Sequence, residues 1–327
     1  MPYSVACKSV IYLLVLFFLP RAEANLDNTC ILDKFRTATD ETTVAEIRES
    51  CAIETVGTKT TRDTVPGAVE ERIASEKALE RQSWSVTPHR SNYFLGVTKN
   101  SSFNYQPFSD DPDMSEFKEE EMKFQISLKF PLWYSPFGIS GDLYAAYSNQ
   151  SWWQAYSTDI SQPFREVNHE PEVFMRFPTE FDLLGLNIPI IDIGFSHQSN
   201  GRSEPLSRSW NRLYANFVFE RNNFAMSVKP WIILGDSKDN PDIDEFMGHG
   251  ELRFAYRWND NIFGAMLRNN LQTDENRSGV ELSWSYPVTD HLRIYTQYYY
   301  GYGESLIDYN ARTNRFGIGV ALNDYLQ

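Results

Sequence analysis

From Asn92 onward the chain alternates between apolar and polar positions. "KFQISLKFPLW" places Phe124, Ile126, Leu128 and Phe130 on one face of a strand and Lys123, Gln125, Ser127 and Lys129 on the other. "ELRFAYRW" sets Leu252, Phe254, Tyr256 and Trp258 against Glu251, Arg253, Ala255 and Arg257, and "VELSWSY" and "RFGIGVALNDYL" repeat the pattern. A period of two is the signature of a strand with one apolar face. Such segments fall at about 92–98, 122–132, 141–151, 172–178, 190–199, 209–220, 223–234, 249–258, 261–269, 278–286, 291–300 and 313–325, which predicts about twelve strands.

Alternation by itself also fits a soluble sandwich with its apolar face inward. The connections separate the two. Those after odd-numbered strands are mostly long, as in "TKNSSFNYQPFSDDPDMSEFKEE" and "GDSKDNPDIDEFM", and those after even-numbered strands are mostly short, as in "ERN", "NDN" and "VTD". An even strand number with long loops on one side and tight turns on the other is expected of an all-β, transmembrane antiparallel barrel with periplasmic termini. Aromatic residues make up 15% of the chain, enough to supply interface girdles, with Trp133, Trp152, Trp153, Trp231, Trp258 and Tyr298 to Tyr300 near strand ends.

The first residues read differently. Lys8 precedes an apolar run from Val10 to Pro20 and an Ala-Glu-Ala ending at Ala24, the pattern of a cleaved secretory signal over residues 1–24. No later run is long and apolar enough for a membrane helix. Residues 25–88 are charged and carry no strand pattern. They predict a non-barrel periplasmic extension or linker, with short helices at most in "ETTVAEIRESCAIETV" and "GAVEERIASEKALERQ", ahead of a barrel over 89–327. Loss of the signal leaves Cys30 and Cys51 as an even pair in an exported chain, compatible with a disulfide. A formal net charge of -14 argues against a nucleic-acid partner.

Candidate chemistry lies in "PIIDIGFSHQSNGRSEPLSRSWNRLYANFVFE". Ile191, Ile193 and Phe195 share parity with His197 and Ser199, so if the apolar set faces lipid, the histidine and serine do too. On the following strand Asn211 shares parity with Leu213, Ala215, Phe217 and Phe219, and a hairpin closed near Glu204 sets Asn211 opposite His197. A serine, an imidazole to take its proton and a third group to fix the imidazole tautomer form a nucleophilic set. An amide in the third place avoids desolvating a carboxylate at the edge of hydrocarbon. A nucleophile facing the bilayer implies a substrate in the bilayer, and hydrolysis of phospholipid acyl esters is the first expectation.

"HQSNGRSEPLSRSWNRLY", supported by "SWWQ", "PFREVNHEP", "VKPW", "DNPDI" and "GYGESLIDYN", resembles the outer-membrane phospholipase A family over about Phe124 to Asp324. The resemblance implies a twelve-stranded barrel in the Gram-negative outer membrane, active as a homodimer on phospholipids and lysophospholipids at both glycerol positions, a phospholipase A1/A2. It implies Ser199 as nucleophile, His197 as general base and then acid, and Asn211 as the orienting residue. The Gly201 amide would serve the oxyanion, together with water on a calcium ion. That ion would be held by Arg202 (carbonyl) and Ser207 (hydroxyl) of one subunit and Ser161 (carbonyl) of the other. A second calcium site would use Asp239 and position 204, where Glu204 stands in place of the expected aspartate. Asn149 shares parity with Tyr147 and Ala145 and faces lipid, where it is a candidate either for hydrogen bonding across the dimer or, near a strand end, for contact with headgroups alone.

Two other classes compete. A passive channel would use inward-facing Lys129, Glu251, Arg253 and Arg257 as pore lining, although the same residues suit a filled ionic interior. An outer-membrane protease would gather acidic residues and histidine inside the mouth, against the outward parity of His197 and Ser199. "GDSKD" at Gly235 superficially resembles a lipase serine motif but lies in an Asp/Asn-rich stretch that reads as a turn.

Overall fold

The computed structural model describes residues 67–80, 85–235 and 238–323. The signal peptide, Cys30, Cys51 and most of the extension lie outside the described residues. The described residues belong to one compact unit. This unit contains helix α1 (Ala68–Glu80), the two-residue strand β1 (Thr87–Pro88), β2 (Asn92–Asn100), β3 (Glu120–Tyr134), β4 (Asp142–Trp153), β5 (Phe164–Leu183), β6 (Leu186–Ser199) and β7 (Ser209–Arg221). It continues through β8 (Phe224–Leu234), helix α2 (Ile243–Met247), β9 (Gly250–Trp258), β10 (Asn261–Asn269), β11 (Ser278–Pro287), β12 (Arg293–Gly301) and β13 (Thr313–Asn323).

From β2 onward every strand pairs antiparallel with its sequence neighbour, β13 returns to β2, and the β3–β4 pairing completes the circuit. β1 pairs with β3 at Lys129 and Leu128, beyond the point where β2 leaves off, so β1 and β2 act as one stave. Twelve staves therefore close the barrel, and closure satisfies every backbone ladder within lipid.

The burial pattern decides its orientation. Lys123, Gln125, Ser127 and Lys129 are buried, whereas Ile126, Leu128 and Phe130 are exposed. Leu252, Tyr256 and Trp258 are likewise exposed and Ala255 is buried. A sandwich would invert this. Apolar side chains facing outward with ionised groups inside are what a barrel in hydrocarbon requires.

The interior is filled rather than hollow. Glu172 meets Arg90 at 2.6 Å, His89 at 2.7 Å and Lys229 at 3.3 Å, and Glu170 meets Arg90 at 2.7 Å and Arg212 at 2.6 Å. Glu121 bridges Arg165 at 2.6 Å and Arg315 at 2.9 Å. Large side chains pack among these ions, and Gly194 admits two of them: a side chain there would collide with Phe174 and Tyr214.

Helix α1 docks at the short-turn end. "AVEERIASEKALE" is rich in strong helix formers. Its first turn is capped from the barrel, the Val69 and Glu70 amides donating to Glu220 Oε2 at 2.9 and 3.4 Å, a carboxylate in the position favoured by the helix dipole. Glu76 reaches Lys129 at 2.8 Å and Glu71 reaches Arg257 at 2.9 Å. Residues 68–80, placed by sequence in the extension, thus pack within the same unit as the staves.

Candidate active site

β6 and β7 are joined by the connection 200–208 at the long-loop end. Their register sets His197 opposite Asn211 and Ser199 opposite Ser209, while on the other side Ser199 faces His169 of β5. Phe195 and Leu213, of the same parity as these residues, are exposed at 41% and 42%, which puts the polar cluster on the lipid wall. Behind it the wall is stiffened from inside: Ser196 and Arg212 both donate to Glu170, at 2.8 and 2.6 Å, and Trp210 donates to Gln198 at 2.8 Å.

His197 Nδ1 lies 2.8 Å from Asn211 Oδ1. A carboxamide oxygen only accepts, so Nδ1 carries the proton and Nε2 presents a lone pair, the tautomer a general base needs. Ser199 is half-buried and its Oγ has no hydrogen-bond partner among the described residues. Catalytic hydrogen bonds commonly tighten only with substrate present.

The connection 200–208 is organised by one buried side chain. Asn200 Oδ1 accepts from the Arg202 and Arg208 amides at 3.3 and 3.0 Å, and Nδ2 donates to the Leu206 carbonyl at 2.8 Å. Gly201 has φ +64°, left-handed backbone that favours glycine. The Arg202 guanidinium donates to the Phe164 and Arg165 carbonyls at 3.3 and 2.5 Å, fixing its own main chain. Ser207 Oγ donates to Asp239 Oδ2, and the Ser209 amide to Asn240 Oδ1 at 2.9 Å, so the β8–β9 connection is stitched to this loop.

Of the residues singled out by sequence, His197, Ser199, Asn211, Gly201 and Arg202 thus lie on one hairpin, and Ser207 meets Asp239. Glu204 and Ser161 are exposed, Ser161 in the β4–β5 connection of the same chain. Among the described residues there is no group of three or more His, Cys, Asp and Glu side chains able to hold a metal. A set built from carbonyl, hydroxyl and single carboxylate oxygens is of another kind, and the Ser207–Asp239 pair offers the hard oxygen donors that suit calcium.

Sequence reading gave no role to His169, which lies across from Ser199, or to Tyr147 beside it. His169 Nδ1 is 2.6 Å from Tyr147 Oη and 3.4 Å from Asn149 Nδ2. All three lie on the outward face of β4 and β5, and their parity was the available signal.

A closed barrel with an apolar belt and a Ser, His and Asn cluster on that belt defines a class: outer-membrane barrel enzymes that act at the lipid surface. The phospholipase A1 family model matches residues 69–322, and the chain belongs to that family. It is 41% identical over 258 residues to phospholipase A1 of Escherichia coli (strain K12), covering 79% of this chain and 88% of the relative. The Klebsiella pneumoniae phospholipase A1 is 44% identical over 237 residues, covering 72% and 82%. The solved outer membrane phospholipase A of Escherichia coli superposes with a TM-score of 0.71 at 42% identity, covering 74% of this chain and all of that one. The Salmonella typhi outer membrane phospholipase, solved as a dimer with bound calcium, gives a TM-score of 0.72 at 41% identity, covering 76% and 97%.

Proposed function

We propose that the chain is a calcium-dependent, homodimeric phospholipase A1/A2 that hydrolyses acyl esters of phospholipids and lysophospholipids from the lipid-facing wall. The observation that carries this is the His197–Asn211 hydrogen bond on the outer wall, two residues from Ser199. Among relatives, an asparagine-to-alanine active-site variant of the Escherichia coli enzyme has been solved, which supports an amide in the third role.

Ser199 Oγ attacks the acyl carbonyl carbon while His197 Nε2 takes its proton. The imidazolium is steadied by Asn211 without a second charge at the membrane edge. The Gly201 amide donates to the oxyanion. Collapse of the tetrahedral intermediate breaks the ester bond, and His197 returns the proton to the departing glycerol oxygen. Water, deprotonated by His197, then releases the fatty acid from Ser199.

The Arg202 carbonyl and the Ser207 hydroxyl of one protomer, with the Ser161 carbonyl of its partner, would hold the calcium ion. Asp239 and Glu204 are candidates for a second. When bound, calcium supplies positive charge beside the developing oxyanion. A second barrel set against the belt near Asn149 would complete a cleft for the acyl chains.

The test is fatty-acid release from mixed micelles by purified, refolded protein. Ser199→Ala abolishes release while the barrel stays folded, and excess chelator stops the wild type. Substantial activity in the variant would remove Ser199 as the nucleophile, and unchanged rates in chelator would remove the metal.

A further inference from the structure

Ser199 has His197 two residues back on its own strand and His169 across the β5–β6 register, and only His197 has a role in the steps above. His169 sits directly across from Ser199 in the β5–β6 register, and Asn149 sits across from His169 in the β4–β5 register, so the three form one row on the lipid wall.

The hydrogen bonds of that row fix the second imidazole's tautomer. Ser151 Oγ donates to Asn149 Oδ1 at 2.8 Å, which turns the amide nitrogen toward His169. An amide nitrogen can only donate, and it approaches His169 Nδ1 at 3.4 Å. The Tyr147 hydroxyl reaches the same atom at 2.6 Å. Because the amide can only donate, Nδ1 is the acceptor and the ring's proton lies on Nε2, with the Tyr147 hydroxyl, able to play either role, oriented to suit.

The ring edge that carries Cδ2 faces the Gly201 backbone. Cδ2, bonded to Nε2, is the nearest atom to where a side chain on Gly201 would begin, at 3.9 Å. The residue is half-buried, and Nε2 has no hydrogen-bond partner among the described residues. An N–H donor is thus available on the ring that flanks the proposed oxyanion glycine, and a hydrogen bond from it to an anion would be charge-assisted.

We propose that His169 is a substrate-recognition residue whose Nε2–H donates to a phosphodiester oxygen of the lipid held at Ser199. This rests on the phospholipase reading above and extends it to the phosphate. The scissile carbonyl oxygen already has the Gly201 amide. A lysophospholipid has no second ester, so the phosphodiester is the acceptor that every proposed substrate shares.

The experiment compares two single-chain esters with the same acyl group, a lysophosphatidylcholine and a monoacylglycerol, on the full-length protein in calcium-containing micelles. His169→Phe raises KM for the lysophospholipid about tenfold, the size expected for loss of one hydrogen bond to a charged group. Its kcat on that substrate and both constants on the monoacylglycerol stay within twofold. His169→Gln, which keeps a donor, recovers part of the lost KM. Tyr147→Phe, which removes one of the two contacts that hold the ring at Nδ1, gives a smaller loss in the same direction.

Equal losses on both esters would assign His169 to general catalysis or to the wall and overturn the proposal. So would unchanged constants on both. Should His169→Phe not fold, as read from heat-modifiable migration in electrophoresis, the Gln and Tyr147→Phe variants carry the same comparison. Wild-type protein inactive on both esters would overturn the phospholipase reading itself, an outcome distinct from an active wild type that His169→Phe does not alter.

Discussion

At the scale of single residues, the site depends on amides more than on charges. Asn211 holds His197 through one accepted hydrogen bond, so Asn211→Ala leaves serine and base in place but frees the imidazole to rotate and change tautomer. Turnover falls about tenfold to a hundredfold without vanishing, against the complete loss in Ser199→Ala; a wild-type rate would remove Asn211 from the mechanism. Asn200 is the corresponding support for the loop. Asn200→Ala strips three hydrogen bonds from the segment carrying Gly201, Arg202 and Ser207. The calcium concentration at half-maximal activity should rise severalfold while His197 and Asn211 stay paired, and an unshifted calcium curve would show that the loop holds its shape without that side chain. These residues were unequally legible in the sequence. Parity and a hairpin closed near Glu204 were enough to turn His197, Ser199 and Asn211 outward and set two of them face to face. Nothing local in "SNGRS" announces that Asn200 turns inward to bind its own loop, because that depends on a backbone path the alternation does not describe.

At the scale of elements, the strands were readable wherever apolar and polar residues alternate cleanly, and obscured where ionic partners break the pattern. β5 begins at Phe164, about eight residues before the predicted start near 172. "FREVNHEP" shows few apolar positions, since Glu166, Asn168 and Glu170 point into the polar interior and Pro171 sits on the outward face. That obscured stretch carries His169. The connection after β12 is a second case. Residues 302–312 turn into the barrel mouth, where the Leu306 and Ile307 amides donate to Asn168 and Glu166 at 2.9 and 3.1 Å. Glu304 anchors it through Arg315 and Lys123, each at 3.0 Å. Burial alone would raise the carboxyl's pKa, but those two cations hold it at about 2. A carboxylate depressed in the folded state contributes stability that is present above its unfolded value near 4.5 and is lost as pH falls toward 2. Thermal unfolding followed against pH should therefore show a loss across that window that Glu304→Gln removes. The same variant is less stable at neutral pH by about 3 kcal/mol, since it leaves buried cations with one partner fewer. A wild-type acid profile in the variant would mean other carboxylates govern that limb.

At the scale of the whole molecule, the competing identity is a pore, and the decisive property is whether water and ions can run through the lumen. Alternation could not settle this: inward Lys129, Glu251, Arg253 and Arg257 read equally as channel lining or as ionic core. The fold pairs each of them. Lys129 meets Glu76, Arg257 meets Glu71, and Arg253 meets Glu251. The first two partners come from α1, a segment with no strand pattern whose docking onto distant staves no local periodicity encodes. At the short-turn end α1 is thus docked across the staves, and at the other end residues 302–312 turn inward, where Leu306 and Tyr309 pack with Trp210, Trp231 and Met247. Between them lie cavities of roughly 180 and 60 Å³ whose linings carry paired ions such as Glu76 with Lys129 and Lys123 with Glu304, so the lumen is crossed by ionic contacts rather than left clear. Folded protein reconstituted in planar bilayers should therefore show no steady open-pore current under conditions in which it releases fatty acid from lipid. Glu76→Gln together with Glu220→Ala, which cuts the ion pair and the cap holding α1, should lower thermal stability and still leave the bilayer sealed, because the mouth segment closes the other end independently. Large, stable, ohmic steps from the wild type would show that the interior pairs part in the membrane and would restore the channel reading; current from the double variant alone would assign the seal to α1.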